Sequence, residues 1–392
     1  MQIEYNPEQD AIRVELREYF ARLMTPERRE ALAAGYEGGG IDTYREVVKQ
    51  MGTDGWLGIG WPKQYGGQDR TMMEQSIFTD EATIAGAPMP FLTINTVGPT
   101  IMEFGTDEQK NEFLPKILSG DMHFAIGYSE PDAGTDLASL TTRAERDGDE
   151  YVINGSKMWT SLIDSADYVW LAARTNPDVA KHKGISVFLV PTTAKGFSYT
   201  PVETLSGATT SQTFYEDVRV PASAIVGGLN DGWRLVTGQL NRERVALCSP
   251  AGVQHALAET VAWAQHTTLA DGSRIIDQEW VQANLGRVHA KVEFLKLINW
   301  KIAWGVKKGV GPADASATKV FGTEFATEAY RLLMECFGDD AFVRVGSPGA
   351  VLKGRIERSY RGALILTFGG GTNEVQRDII AMVGLGMPRA PR

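Results

Sequence analysis

"DEYVINGSKMWTS", Asp149 to Ser161, is the stretch on which the architecture turns. Tyr151, Val152 and Ile153 favour the pleated backbone. Asn154-Gly155 then separates them from a second apolar-rich run through Met158 and Trp159. An Asn-Gly pair in that setting is a strong local hairpin signal, so a turn is expected there. Three later runs have the same β-branched and aromatic character and are bounded by Gly, Pro, Asn or Asp: "DYVWLAART" from Asp167, "GISVFLVPT" from Gly184 and "TFYEDVRVP" from Thr213. Roughly Ala125 to Gly228 therefore reads as a β-rich unit.

On either side the period changes to that of helices. In "NPEQDAIRVELREYFARLM", Asn6 is placed to cap and Pro7 to begin a helix whose apolar stripe is Ile12, Leu16, Tyr19 and Leu23. Thr106 with Gln109 three residues on has capping-box spacing. Beyond the β unit, long helical patterns cover 232–268, 276–308, 312–337 and 350–383. The expected organisation is helices over 1–124, a small β domain over 125–228 and a helical bundle over 229–392.

Composition narrows the class. The 392 residues are 43% hydrophobic and 22% charged, ordinary for a globular chain, and the formal net charge of −10 gives no support to nucleic-acid binding. Cys248 and Cys336 sit in apolar helical surroundings, which suits a reducing compartment. With no basic-then-apolar leader in "MQIEYNPEQDAIRVEL" and no apolar run of membrane length, a cytoplasmic protein is expected. The five histidines form no metal-ligand pattern, so no metal is expected. There is no G-x-S-x-G, P-loop or G-x-G-x-x-G. "WLGIGWPKQYGG" (Trp56–Gly67) is glycine-rich but reads as a closely packed loop between helices.

Two motifs carry chemistry. In "GYSEPDAGTDLAS" (Gly127–Ser139), the turn from Glu130 to Asp136 follows a β run, and Gly134 permits a sharp bend with exposed N–H groups beside the hydroxyls of Ser129 and Thr135. About 30 residues later, Trp159 sets a flat face beside Thr160 and Ser161. Each alone is ordinary, a turn and a core tryptophan; together in one β unit they suit a polar planar ring or a phosphate.

With "YGG", "GTDEQKNEFLPKILSG", "FYEDVRVP" and the terminal "GTNEVQR", these motifs make the chain resemble the acyl-CoA dehydrogenases over nearly its whole length. The resemblance implies an α+β fold: an N-terminal helical domain, a middle β-barrel-like domain and a C-terminal four-helix bundle. It also implies FAD, α,β-dehydrogenation of an acyl-CoA thioester, and an electron-transfer flavoprotein or similar acceptor. Carried over, Ile126, Tyr128, Ser129, Gly134 and Thr135 border the flavin and its phosphates. Trp159 flanks the ring, with Thr160 and Ser161 beside it and Ser161 hydrogen-bonding near N5, while Thr372 and Glu374 belong to the cofactor side. Thr135, Asn241, Arg244 and Gly370 would meet substrate. Tyr128 and Asp132 depart slightly from the usual residues of their motif.

Two departures bear on mechanism. Many members carry their base directly before the terminal Gly-Thr, and here that residue is Gly370, inside "LTFGGGTNEVQR" (Leu366–Arg377). Branched-chain and long-chain members instead place a glutamate on the helix after the β domain, in an L-E-R setting that Glu243-Arg244 matches. Read alone, Glu243 between Arg242 and Arg244 is an ordinary charge run; with the acid missing at Gly370 it becomes the expected base, and the triple glycine leaves space for a branched or ring-bearing acyl group. The second departure is the R-x-x-F-G segment by which homotetrameric members reach a neighbour's FAD pyrophosphate. Thr267, Thr268 and Leu269 stand in its place, Arg274 is off its spacing, and the later glycine-rich element is altered to "CFGDDAF" (Cys336–Phe342). That pattern resembles the heteromeric dehydrogenases of actinobacterial sterol side-chain breakdown. The expectation is the base-bearing subunit of an α2β2 enzyme for a bulky acyl-CoA; the alternatives are a homotetrameric branched- or long-chain dehydrogenase, a flavin oxidase, and a scaffolding subunit without activity.

Overall fold

The computed structural model describes residues 3–34, 40–246, 248–305 and 311–389, with the backbone alone at 34 and 241–246. Helices α1 (Pro7–Leu23), α2 (Pro26–Ala34), α3 (Gly40–Thr53), α4 (Met72–Ala85), α5 (Gly98–Phe104) and α6 (Asp107–Leu118) come first. The capping signals act as the sequence indicates: Asn6 and Gln9 satisfy each other's backbone N–H groups, as do Thr106 and Gln109. Gln109 also donates to Ser223 O and Ile225 O at 2.8 and 2.9 Å, fastening α6 to the β unit. The buried stripe of α1 runs through Phe20 and not Tyr19, whose hydroxyl instead donates to Asp54 at 2.8 Å. Trp56–Gly67 is the expected packed loop, with Gly67 so close to Trp61 that a Cβ would lie 2.1 Å from its carbonyl oxygen.

Eight strands follow: β1 (Phe124–Gly127), β2 (Arg143–Asp147), β3 (Glu150–Lys157), β4 (Tyr168–Arg174), β5 (Ile185–Pro191), β6 (Phe197–Glu203), β7 (Thr209–Pro221) and β8 (Ile225–Val226). The sheet order is β6-β7-β3-β2-β4-β5-β8, with β1 parallel to β4. Two strands separate β3 from β5, which in a flat sheet is about 14 Å. Yet the rings of Tyr151 on β3 and Phe188 on β5 meet with centroids 5.3 Å apart. The sheet therefore curls over one face, and Ile153, Val169, Leu171, Val190, Tyr215 and Val218 fill the enclosed core. The opposite face, with Phe124, Trp170, Val187 and Leu189, packs on the N-terminal helices.

The expected hairpin at Asn154-Gly155 is a correction. Both residues lie within β3, and the two-residue turn is Gly148-Asp149, with Gly148 at φ +64°. Asn154 marks a bulge instead: β7 carries one extra residue opposite it, Asp217 sits at φ +51°, and Asn154 accepts from the Asp217 N–H at 2.9 Å. Gly155 is required by proximity, since a Cβ there would stand 2.7 Å from Thr142 Cα.

The C-terminal helices are α7 (Gly232–Ala246), α8 (Ala251–His266), α9 (Glu279–Gly305), α10 (Pro312–Glu335), α11 (Arg355–Ala363) and α12 (Asn373–Ile379). The pattern over 232–268 thus divides in two. Pro250 has no N–H to continue a helix, and Ser249 Oγ accepts from Ala251 N at 3.1 Å where α8 begins. The pattern over 350–383 divides as well, at a tight turn over Leu364–Thr367 and the glycines after it. Helix α10 is central, with α7, α8, α9, α11 and α12 all packed against it. Among the described residues no helix is long and apolar enough to cross a membrane.

Candidate active site

β1 ends in the turn that the sequence singles out, and a buried ion pair holds that turn. Lys157, at an inward position of β3 with 0% side-chain exposure, donates to Glu130 at 2.8 Å and to the Tyr128 carbonyl at 3.0 Å. Glu130 also accepts from Thr141 N and Thr142 N at 2.7 and 2.8 Å. Burial alone would raise the Glu130 carboxyl, but Lys157 and these donors hold it well below the usual carboxylate range. Met158 N donates to Ser129 O at 2.8 Å, so the turn and the tryptophan segment are joined. The pairing of Glu130 with Lys157 was not read from sequence; the available signal was a lone lysine at an inward strand position, which demands a buried anion.

Trp159 sits at φ +66°, a conformation that costs a non-glycine residue on the order of 1–3 kcal/mol, and its side chain is 56% exposed. Its neighbour supplies the anchor: Thr160 is fully buried, its N–H donates to Ser211 O at 2.8 Å and its hydroxyl meets Thr213 at 3.2 Å. The Thr160 side chain therefore faces the sheet core. Ser161 is exposed beside Trp159, its hydroxyl 3.0 Å from that of Thr210. Across the gap, Gly134 and Thr135 are exposed, and a Cβ on Gly134 would meet nothing within 4 Å. The indole and the glycine turn are thus both exposed, on segments that the Met158 N–H to Ser129 O bond joins. Trp159→Ala is expected to weaken FAD binding or shift the flavin spectrum without unfolding the protein; full occupancy with an unaltered spectrum would place the ring elsewhere.

Tyr128 links this surface to the helices. It accepts from Trp170 Nε1 at 2.9 Å and donates to Gln239 Oε1 on α7. Gln239 is fully buried, leaves its amide NH2 without a partner among the described residues and lines a cavity of about 800 Å³ between α4 and α5 on one side and α7 and α9 on the other. Trp61, Ile94, Phe104, Leu235 and Trp300 give that cavity a largely apolar wall. Gln239 was missed in the sequence; its position one turn before Glu243 is the signal that would have found it. Asn241, Glu243 and Arg244 lie in the last turns of α7, and their side chains fall outside the described residues. The backbone there is bracketed: Gln239 contacts Tyr128 on one side, and Cys248 packs against Gly322 and Lys319 of α10 on the other.

Lys319 organises the glycine turn. Fully buried, it donates to Thr367 O at 3.0 Å, Gly371 O at 2.8 Å and Asn373 Oδ1 at 2.7 Å. Gly370 and Gly371 stand at φ +69° and +97°, where an L side chain is strained, so the turn cannot readily carry an acid in this conformation. Thr372 caps α12 through Val375 N, and Glu374 is exposed on its first turn. The β6–β7 hairpin connects the two halves: Thr210 meets Ser161, and the Leu205 carbonyl accepts from Arg361 on α11. Tyr128 is thus joined to α7 through Gln239 and Ser129 to the tryptophan segment through Met158, while Lys319 of α10 holds the glycine turn. Arg274 is committed elsewhere, donating to Asp277 at 2.7 and 2.8 Å on an exposed turn.

Comparison with known proteins agrees with this geometry. Residues 6–121, 125–218 and 230–385 match the family models for the N-terminal, middle and C-terminal domains of acyl-CoA dehydrogenase. The chain is 66% identical to acyl-CoA dehydrogenase FadE26 of Mycobacterium tuberculosis, with 100% of both chains covered. It superposes on a chain of the ChsE4-ChsE5 complex from Mycobacterium tuberculosis with TM-score 0.93 and 66% identity, each chain fully covered. A chain of the Tcur3481-Tcur3483 steroid ACAD gives TM-score 0.92 and 49% identity over 100% of both. Matches to all three domain models, over most of its length, show that this chain belongs to the acyl-CoA dehydrogenase family.

Proposed function

We propose that this chain is the base-bearing subunit of an FAD-dependent dehydrogenase that converts a bulky acyl-CoA, of the steroid side-chain class, to its 2-enoyl-CoA. The observation that supports the reading is the course of α7 beside the cavity: its Gln239 bonds Tyr128, and the helix packs on α10, whose Lys319 holds the glycine turn. Glu243 lies on that course and takes the α-proton of the thioester. FAD, when bound, accepts the β-hydrogen as hydride. Trp159 covers one side of the FAD site, and Ser161 lies at its edge. The Trp170–Tyr128–Gln239 chain fixes α7 against the turn, so that the base is positioned before substrate arrives. Gly370 and Gly371 leave the wall near the base without side chains. Thr135, Asn241, Arg244 and Gly370 meet substrate, and Thr372 and Glu374 stay on the cofactor side. An electron-transfer flavoprotein or similar protein removes the electrons. The Tcur3481-Tcur3483 protein is a steroid ACAD and the ChsE4-ChsE5 structure is a complex of two chains; both similarities support the substrate class and a heteromeric assembly.

The test joins cofactor and assembly. Thr267–Leu269 offer no cation to a neighbour's pyrophosphate, and charge-assisted contacts of that kind are worth roughly 1.5–3 kcal/mol each, about tenfold or more in affinity. Expressed alone, the chain should hold little FAD. Co-expressed with a paralogue that carries R-x-x-F-G, it should form an α2β2 particle with one FAD per pair of chains, and a steroid side-chain acyl-CoA should bleach the flavin. Native mass and flavin absorbance read both. A homotetramer with one FAD per chain would overturn the heteromeric assignment, and a loaded enzyme that no acyl-CoA bleaches would overturn the activity.

A further inference from the structure

The cavity wall has one place that a hydrocarbon would not suit. Asp80 on α4 faces the junction of α7 and α8, where its Oδ1 accepts from Ser249 Oγ at 2.6 Å; both residues line the cavity. The second carboxyl oxygen has no hydrogen-bond partner among the described residues, and Asp80 forms no ion pair there. The charged groups around it are Arg13 of α1, Glu81 of α4 and Lys296 of α9. Arg13 is already bound to Glu81 at 2.9 Å, and Lys296 lies over the Trp300 ring, 5.0 Å from its centroid. A carboxyl with one oxygen unused costs free energy if only apolar surface is pressed against it.

We propose that Asp80, oriented by Ser249, is a specificity residue that hydrogen-bonds an uncharged oxygen substituent, a hydroxyl or a ketone, on the ring-bearing part of the acyl group. The inference rests on reading the cavity as the acyl pocket. Burial pushes the Asp80 carboxyl up to about 6, so near neutral pH it donates to a ketone when protonated and accepts from a hydroxyl in either form. A plain structural role, clamping the start of α8 to α4, uses only Oδ1 and predicts no dependence on the substrate.

The experiment uses the FAD-loaded enzyme with its partner subunit and matched ring-bearing acyl-CoAs that differ only in a ring hydroxyl, a ring ketone or neither. The wild type should favour the oxygenated members in kcat/KM by about tenfold or more, because a site built around a hydrogen bond discriminates against the analogue that lacks it. Asp80→Leu should abolish that preference, mostly through KM, while the oxygen-free substrate is turned over as before. Asp80→Asn, which keeps the Ser249 contact and can still donate and accept, should retain most of the preference. If Asp80→Leu fails to accumulate, Asp80→Ala reads the same ratio. A preference for only one of hydroxyl and ketone supports the proposal and identifies the substituent. Equal turnover of all three substrates by the wild type, or an equal loss on all three in Asp80→Leu, would overturn it while leaving the dehydrogenase reading intact. No turnover of any of them would overturn both.

Discussion

Replacing Glu243 with glutamine is expected to leave FAD bound and to lower turnover about 10²-fold or more, the range for loss of a general base. The expectation follows from what each candidate position can offer. Before the terminal Gly-Thr stands Gly370, at φ +69°, in a turn whose carbonyls are gathered by Lys319. A base on α7 approaches from the opposite backbone anchor, on the segment held between Tyr128 and α10. Glutamine preserves shape and polarity and removes only the capacity to take a proton, so stability and flavin content should stay near wild type. Stopped-flow bleaching of the flavin by a bulky acyl-CoA isolates the chemical half-reaction from reoxidation. Bleaching at a near-wild-type rate would remove Glu243 from the mechanism and return the scaffolding reading to contention.

The parts of the fold that were legible share a physical feature: their signal is local. The reciprocal caps of Asn6 with Gln9 and of Thr106 with Gln109 need only three residues, and the strands over Tyr168–Arg174 and Ile185–Pro191 are buried along nearly their whole length, so they read as continuous apolar runs. The errors arose where the decision is non-local. Asn154-Gly155 has the composition of a hairpin turn, but Thr142, just before β2, and Asp217 from β7 decide that it is a bulge. At the site, motif matching reached the turn and the tryptophan because these are contiguous. It missed the groups that position them: Lys157 lies 27 residues from Glu130 and Lys319 lies 52 from Gly371, and only the folded chain brings each pair together. Thr160 follows Trp159 directly in sequence, yet its hydroxyl is buried against Thr213 while the indole is exposed.

Glu130→Gln should be the most destabilising polar substitution in the β unit. The amide keeps one acceptor oxygen, so it can hold Thr141 N or Thr142 N but not both, and the Lys157 ammonium, with 0% side-chain exposure, loses its anion. Breaking a buried pair from one side typically costs about 3–5 kcal/mol, because the remaining charge is desolvated and uncompensated. Adding Lys157→Met should recover much of that loss, since removing both charges also removes the desolvation penalty. The sign of the pH dependence follows from the carboxyl, which is depressed in the fold. The stabilisation it contributes is complete above the unfolded value of roughly 4.3 and fades as pH falls toward the lower folded value. The gap between wild type and Glu130→Gln in urea midpoint should therefore narrow as pH falls below about 4. The same pair holds the turn that precedes Gly134, so FAD retention should fall with stability in the single variant and return in part in the double one. A midpoint for Glu130→Gln equivalent to a loss of less than about 1 kcal/mol would mean that Lys157 finds another partner, and the turn would then have to be held by its backbone contacts to Met158 and by Ala133 alone.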